Sequence, residues 1–147
     1  MKEKILKILQ IASPILLGTL IGLIIHSNID YNSLNHPPGS PPNIFFPIIW
    51  SFLYILMGIS YFFYRQKNEK NYLYYLQLGI NLLWPILFFT LNLRFLSIIW
   101  LFILNYLIYR LILEWQERRK ISAYLLIPYL IWSIYATYLN IGIFLLN

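Results

Sequence analysis

The sequence contains no cysteine. This absence excludes a disulfide scaffold, a thiolate nucleophile and a metal site built on cysteine. Acidic residues are also scarce, since only five of the 147 residues are aspartate or glutamate. They form no carboxylate pair, and the chain has no nucleophile and base pair and no phosphate loop. Conventional acid–base or covalent catalysis therefore has no candidate group of residues, and no catalytic site is predicted from them.

Charge of either sign is sparse in a chain that is largely apolar. Charged residues make up 11% of the chain and hydrophobic residues 60%, whereas a soluble domain is about 25% charged. A water-soluble fold of this size could not bury so much apolar surface. The net charge of +6 does not indicate a nucleic-acid partner, because the cations fall in short gaps between apolar runs. The composition indicates an integral membrane protein surrounded by lipid.

Five apolar runs are long enough to cross a bilayer, which requires about 20 residues each. The first follows three lysines and raises the possibility of a cleaved signal peptide. It is too long for one, no Ala-x-Ala site ends it, and four more spans follow, so we expect it to be retained. We predict one all-α membrane domain, a five-transmembrane-helix bundle over residues 1–147. The predicted spans are 5–27, 43–64, 72–92, 95–114 and 122–146.

The basic residues predict the orientation. With five spans, ten of the eleven lysines and arginines fall on one side of the membrane, and only Arg94 falls on the other. The positive-inside rule places the ten, and with them the amino terminus, in the cytoplasm. The composition favours a bacterial plasma membrane. The ten residues are Lys2, Lys4, Lys7, Arg65, Lys67, Lys70, Arg110, Arg118, Arg119 and Lys120.

One long connection, residues 26–42, is rich in proline and lies on the side opposite these cations. Proline fixes φ and disfavours helix at the residue before it. We therefore expect an extended and fairly rigid cover rather than a flexible linker. Its prolines are Pro37, Pro38, Pro41 and Pro42, and Pro47 follows at the entry to the next helix.

Aromatic and amide residues recur at helical spacing and form one face on each of three spans. If the faces converge, they enclose a box suited to a flat apolar ligand; alternatively, they are bundle core or interface anchors. Asn81 would either orient a ligand or bond to a neighbouring helix, whereas Asn105 is expected to join helices. The faces are Trp50, Tyr54, Met57 and Tyr61; Gln77, Asn81, Trp84 and Phe88; and Pro128, Trp132, Tyr135 or Ala136, and Leu139.

Three blocks in order resemble the TspO/MBR family and together cover essentially the whole chain. The longest, residues 37–61, reads PPGSPPNIFFPIIWSFLYILMGISY and resembles the family's signature of prolines leading into Pro-x-x-Trp, Leu-Tyr and Met-Gly. Residues 77–89, QLGINLLWPILFF, are similar to the family's third helix. Residues 123–140 contain LLIPYLIW and YATYLN and are similar to its last helix. The chain is identified on these blocks as a member of that family.

The resemblance implies an intramembrane pocket for porphyrins, other tetrapyrroles and similar flat hydrophobic molecules. The protein would act as a sensor in a stress response, a sequestering protein or a transporter, would require no cofactor, and would form a homodimer. Trp50 and Trp132 would stack on the macrocycle, Asn81 would meet its polar edges, and the proline-rich loop would be the lid. The expected ligand-binding residues are Tyr31, Trp50, Tyr54, Asn81, Trp84, Trp132 and Ala136.

Two other functions remain open from the sequence. The first is light- or oxygen-dependent porphyrin breakdown, in which Trp50 and Trp132 would donate electrons to the excited macrocycle and no acid–base residue would be needed. The second is a membrane scaffold or regulator that acts through protein partners. The sequence contains no inverted repeat or broken mid-membrane helix that would itself argue for transport.

The chain departs from the family at several positions. Gly39 stands where a large apolar residue is usual, His36 where lysine is usual, and Trp100 where many members have an acidic residue. No basic residue follows Tyr138, so the cation of the proposed cholesterol motif is missing and sterol binding is not predicted.

Two smaller features leave their roles open. His26 and His36 lie in or beside the loop without a matching partner, so neither iron ligation nor another metal site is predicted. Gly18 and Gly22 form a Gly-x-x-x-Gly step that would permit either packing inside the bundle or dimerisation.

Overall fold

The computed structural model describes residues 1–147 and is helical wherever it is regular. Five helical stretches are long and apolar enough to cross a membrane, which confirms the predicted fold class. The fifth stretch consists of two consecutive helices. The helices are α1 (Lys2–Ile25), α2 (Phe45–Arg65), α3 (Tyr72–Pro85), α4 (Arg94–Arg118), α5 (Lys120–Leu125) and α6 (Ile127–Leu146).

Prolines explain where two spans depart from regular α-helix. Pro85 ends α3, and the span continues as a π-helical turn, Ile86–Thr90. The fifth span was predicted as one helix over 122–146 but is interrupted at Leu126. Pro128 lacks the N–H group that would continue the hydrogen-bond ladder across this point, and it occupies the first turn of α6, where that loss is tolerated.

The five spans form a closed ring. The first span, α1, packs against α2 and α3; α3 packs against α4, and α4 packs against α5 and α6. The ring closes because α5 and α6 also contact α2. The inner faces of α2, α3 and α6 therefore meet, as the sequence pattern required for a shared aromatic box.

Two glycines bring the backbones of α1 and α2 together. A Cβ atom at Gly58 would collide with the backbone carbonyl of Ile11, and one at Gly18 would collide with the ring of Tyr54. Gly22 has no neighbour within 4 Å of such a Cβ position. Gly18 thus serves packing inside the bundle, which was one of the two roles considered for the Gly-x-x-x-Gly step. The surface of α1 at Gly22 has no such close neighbour within the bundle.

The connection between α1 and α2 is more structured than the extended cover predicted from its prolines. It begins with two short 3₁₀ turns, His26–Asn28 and Tyr31–Ser33. The part that contains the prolines is free of helix. Gly39 has φ +82°, a conformation that a larger residue would adopt only with strain. This explains why glycine suits a position where the family usually has a large side chain.

We expect Gly58→Ala to destabilise the protein by about 1–3 kcal/mol, because the added methyl must push α1 away from α2. Gly79→Ala is the matched control, since nothing lies within 4 Å of its Cβ position. Unfolding of detergent-held protein by added denaturing detergent measures both. Equal stability of the two variants would contradict the close approach at Ile11.

Candidate functional site

An apolar cavity lies beneath the proline-rich loop, between α2, the third span and α6. Nine of its ten lining residues are hydrophobic, and Asn140 is the exception. The third span contributes both the end of α3 and the π-helical turn, so the deviation at Pro85 shapes this wall. The lining residues are Tyr31, Phe46, Trp50, Trp84, Phe88, Phe89, Ala136, Leu139, Asn140 and Ile143.

Aromatic rings surround the cavity. The ring of Trp50 lies 6.2 Å from that of Trp84 and 5.7 Å from that of Tyr54, both tilted by 33°. On the loop side, Tyr31 meets Phe46 edge to face at 4.9 Å. These separations fall within the range in which aromatic pairs attract one another. The site therefore presents flat apolar surfaces on the helices and one aromatic ring from the loop.

The cavity is nearly filled by the side chains that line it. It contains about 20 Å³ of free space, room for about one water molecule. Pockets that hold small molecules and cofactors have volumes of about 300–1,000 Å³. A flat ligand the size of a macrocycle therefore enters only if the loop or the aromatic side chains move.

A chain of hydrogen bonds runs beneath the cavity. The Tyr54 hydroxyl donates to Asn81 Oδ1 at 2.6 Å, and Asn81 Nδ2 donates to the Tyr129 hydroxyl at 2.9 Å. The Tyr129 hydroxyl donates to Gln77 Oε1 at 2.8 Å, and Gln77 Nε2 lies 3.5 Å from the sulfur of Met57. All five residues are buried. The chain links α2, α3 and α6 through polar groups that would be costly to expose to lipid unpaired.

This network gives Asn81 partners on neighbouring helices, one of the two roles left open for it. Both ends of its amide group bond to tyrosines on neighbouring helices. Asn81 thus joins helices and supports the floor of the cavity in this closed form. Sequence reasoning did not single out Tyr129, because only the neighbouring Pro128 falls on the predicted face.

A second polar cluster fixes Trp84 in the wall. Its indole N–H donates to Asn140 Oδ1 at 3.0 Å, and Asn140 Nδ2 donates to the Ser97 hydroxyl at 3.0 Å. Asn140 and Ser97 are buried. Asn140 was not predicted as a site residue, although it stands at the end of the block that resembles the family's last helix. An intramembrane amide one turn beyond Ala136 was the signal that could have identified it.

The remaining amide and indole singled out in the sequence also join helices. Asn105 Nδ2 donates to the Thr137 hydroxyl at 2.9 Å, so the predicted interhelical role of Asn105 is confirmed. The indole of Trp100 donates to the backbone carbonyl of Ile80 at 2.8 Å. Where many family members have an acidic residue, this chain thus has a tryptophan that ties α4 to α3.

The seven expected ligand-binding residues take up three kinds of position. Tyr54 and Asn81 lie in the floor network rather than among the lining residues. Trp132 does not line the cavity; its ring contacts Phe46 at 6.1 Å and Tyr135 at 5.2 Å. The members that line the cavity are Tyr31, Trp50, Trp84 and Ala136.

Trp84, and not the expected Trp132, lies beside Trp50 in the cavity wall. Trp50 and Trp132 were expected to stack together on a ligand. The structure instead places the ring of Trp84 6.2 Å from that of Trp50. In this closed form the pair of tryptophans in the cavity wall is therefore Trp50 and Trp84.

Hydrogen bonds from α6 hold the loop over the cavity. The Tyr138 hydroxyl donates to the carbonyl of Pro38 at 2.7 Å, and the Tyr135 hydroxyl donates to that of Gly39. Gly142 lies one turn further along α6, and the ring of Pro37 packs against it. A Cβ atom at residue 142 would collide with that ring.

The last residue of the chain completes this attachment. Asn147 Oδ1 accepts from the backbone N–H of Asn35 at 3.0 Å, and Asn147 Nδ2 donates to the Asn35 carbonyl at 2.9 Å. One side-chain amide thus pairs with both backbone groups of a loop residue. We refer to the contacts of Tyr135, Tyr138, Gly142 and Asn147 with the loop as the α6 latch.

Inside the loop, Tyr31 connects the latch to the cavity. Its hydroxyl donates to the Pro41 carbonyl at 3.2 Å, and its ring packs against that of His36 at 4.0 Å. Burial raises the pKa of the Tyr31 phenol, so the group remains a neutral donor at physiological pH. His36, which stands where lysine is usual in the family, therefore supports the residue that covers the cavity.

Comparison with known proteins identifies relatives along nearly the whole chain. Residues 10–146 match the family model described as TspO/MBR family. Tryptophan-rich protein TspO of Archaeoglobus fulgidus is 34% identical over 123 residues, which cover 80% of this chain and 79% of that protein. Translocator protein homolog of Schizosaccharomyces pombe is 34% identical, with 91% and 87% covered. Translocator protein of Ovis aries is 31% identical, with 75% and 70% covered.

We expect Tyr54→Phe and Asn81→Ala to be non-additive, because each removes the same hydrogen bond. The coupling free energy in a double-mutant cycle should be about 1 kcal/mol. Detergent-induced unfolding of the two single variants and the double variant measures it. Tyr109→Phe combined with Asn81→Ala is the control pair, since Tyr109 is exposed. Additive effects of the first pair would show that the Tyr54–Asn81 bond contributes nothing to stability.

Proposed function

This chain is an integral membrane protein of the TspO/MBR family, and on that premise we propose that it binds porphyrins and similar flat tetrapyrroles in the cavity beneath the loop. The observation that carries the proposal is the pair of tryptophans, Trp50 and Trp84, in an apolar wall closed by Tyr31. Aromatic faces bind flat conjugated molecules by stacking. The few polar groups nearby, such as Asn140, suit the small number of polar edges on such a ligand.

We infer that the loop opens to admit the ligand. The closed cavity holds about 20 Å³, far below the volume of about 300 Å³ or more that a ligand needs. The α6 latch attaches the loop by hydrogen bonds at the mouth of the site, where Tyr138 and Asn147 are exposed. Release of these bonds would lift Tyr31 from the cavity without disturbing the floor network.

The interior favours a binding and sensing role over passage of ligand along the bundle axis. Below the cavity, the hydrogen-bonded floor joins three helices. Beyond it, toward the end of the bundle that carries the basic residues, Tyr61 stacks on Tyr74 at 4.0 Å and Tyr64 stacks on Trp115 at 4.4 Å. These four side chains are at most 2% exposed. A ligand in the cavity therefore meets a packed interior, whereas the loop side needs only the latch to open.

Relatives carry names that fit this role. One is called Tryptophan-rich sensory protein, from Cereibacter sphaeroides, and others are called Translocator protein. We extend to this chain a function as a sensor or sequestering protein for its ligand. A homodimer belongs to the same proposal, and the open face of α1 around Gly22 offers a surface on which a second copy would pack.

Titration of nanodisc-held protein with protoporphyrin IX in the dark tests the proposal through the porphyrin's own absorbance. We expect saturable binding that weakens about tenfold in Trp50→Phe and Trp84→Phe, because each loses part of its stacking surface. Trp115→Phe is the control, since Trp115 is buried at the other end of the bundle. Non-saturable binding, or an equal loss in the control, would mean that the aromatic faces are only bundle core.

The same complex separates binding from porphyrin breakdown. If the protein only binds porphyrin, illumination in air should bleach the porphyrin of the wild-type complex no faster than free porphyrin. Loss of porphyrin that stops in Trp50→Phe, while binding persists, would instead support the light-dependent enzyme.

Opening of the loop should limit the rate of binding. We expect Tyr138→Phe, which removes one latch hydrogen bond, to raise the association rate constant for protoporphyrin IX about fivefold, because one hydrogen bond contributes about 1 kcal/mol to the closed form. Asn147→Ala removes two latch hydrogen bonds and should raise the rate constant more. Stopped-flow absorbance measures the rate. Tyr124→Phe, an exposed tyrosine on α5, is the control. Unchanged rates in the latch variants would show that ligand enters by another route.

A further inference from the structure

A second cleft opens at the opposite end of the bundle from the aromatic cavity. It lies between the end of α2, the connection into α3 and the last turns of α4, and it has a volume of about 320 Å³. That is sixteen times the space in the closed aromatic cavity. Five of its eight lining residues are not hydrophobic. The eight lining residues are Tyr64, Glu69, Lys70, Asn71, Tyr72, Leu73, Glu114 and Arg118.

The cleft carries two groups of each charge. Glu114 and Arg118 stand one turn apart on α4 and form a long ion pair, with Arg118 Nε 3.9 Å from Glu114 Oε1. Asn71 Nδ2 donates to the same oxygen at 2.7 Å, which fixes the carboxylate in place. The long ion pair leaves the terminal nitrogens of Arg118 available for another anion. Glu69 and Lys70 line the cleft without an ion-pair partner.

The beginning of α3 adds donors to the cleft. Asn71 is 7% exposed, and its side-chain oxygen caps the helix by accepting from the N–H group of Tyr74 at 3.0 Å. The N–H groups of Tyr72 and Leu73 belong to the first turn, where no intrahelical acceptor exists. Both residues line the cleft. The positive end of the helix therefore lies beside Lys70 and next to the carboxylate of Glu114, to which the capping Asn71 donates.

The position of the cleft determines what reaches it. It lies where the spans Phe45–Arg65 and Arg94–Arg118 end and the span Tyr72–Thr90 begins, at the depth of lipid headgroups. Tyr72 is 85% exposed, as expected for an aromatic residue at that interface. Basic residues surround this end of the bundle: Arg65, Lys67, Lys70, Arg118, Arg119 and Lys120.

We propose that this cleft binds the headgroup of phosphatidylethanolamine. Arg118, Lys70 and the first turn of α3 hold the phosphate, and Glu69 and Glu114 accept hydrogen bonds from the primary ammonium. Phosphatidylcholine fits less well because its quaternary ammonium has no N–H to donate. Phosphatidylglycerol places no cation against the two carboxylates. The mixed charge of the cleft thus selects a headgroup with both a phosphate and a primary amine.

Native mass spectrometry of the purified full chain, with the three lipids added in equal amounts, tests the proposal. We expect phosphatidylethanolamine to be retained about tenfold more than either competitor, the ratio for loss of one charge-assisted hydrogen bond. Glu114→Gln should abolish the preference over phosphatidylglycerol, and Arg118→Gln should lower retention of phosphatidylethanolamine about tenfold. Arg110→Gln is the control, because Arg110 lies two turns earlier on the exposed face of α4 and bonds to Tyr106.

Three results would overturn the proposal. Equal retention of the three lipids, or an equal loss in Arg110→Gln, would mean that the surface attracts lipid without a site. Competition by water-soluble glycerophosphoethanolamine at the concentration at which the lipid competes would assign the cleft to a soluble ligand. If Glu114→Gln does not fold, Arg118→Gln still tests the proposal, because the side chain of Arg118 is 56% exposed and its replacement should not disturb folding. Full retention of phosphatidylethanolamine by a folded Arg118→Gln variant would also contradict the proposal.

Discussion

A polar side chain inside a membrane must bond to another part of the protein, and this requirement organises the bundle around Asn81. Its amide bonds to Tyr54 and Tyr129, and Tyr129 bonds in turn to Gln77. Helices that pack only through apolar side chains can rotate or slide at small cost, because lipid is as apolar as their surfaces. The hydrogen bonds remove that freedom for α2, α3 and α6. Trp50, on α2, consequently faces a cavity rather than lipid.

The sequence was sufficient to predict the five spans because their signals are local. A long apolar run identifies a membrane helix without reference to its neighbours, since the bilayer alone sets the required length. The face that carries Trp50 and Tyr54 was likewise visible from helical periodicity. Periodicity does not show which face of another helix lies opposite. For that reason the sequence led to Trp132 as the partner of Trp50, and only the packed structure shows that Trp84 lies beside it in the cavity wall.

Contacts between distant parts of the chain could not be predicted in the same way. The bond from Tyr138 to Pro38 joins residues 100 positions apart, and that from Asn35 to Asn147 joins residues 112 apart. Nothing in the spacing of the prolines indicates that their carbonyls would meet hydroxyl groups of the last helix. The π-helical turn after Pro85 was also missed, because a proline in a membrane helix is compatible with a kink, a break or a π turn.

The pairing of Asn147 with Asn35 makes the residue that follows α6 part of the cover over the cavity. Any polypeptide attached after Asn147 would leave the protein beside the loop and would pull on the residue that holds it. An affinity tag or fluorescent fusion at that end would therefore alter the opening of the cavity that it was meant to report. A label joined before Lys2 avoids this interference, because α1 begins at the end of the bundle opposite to the loop.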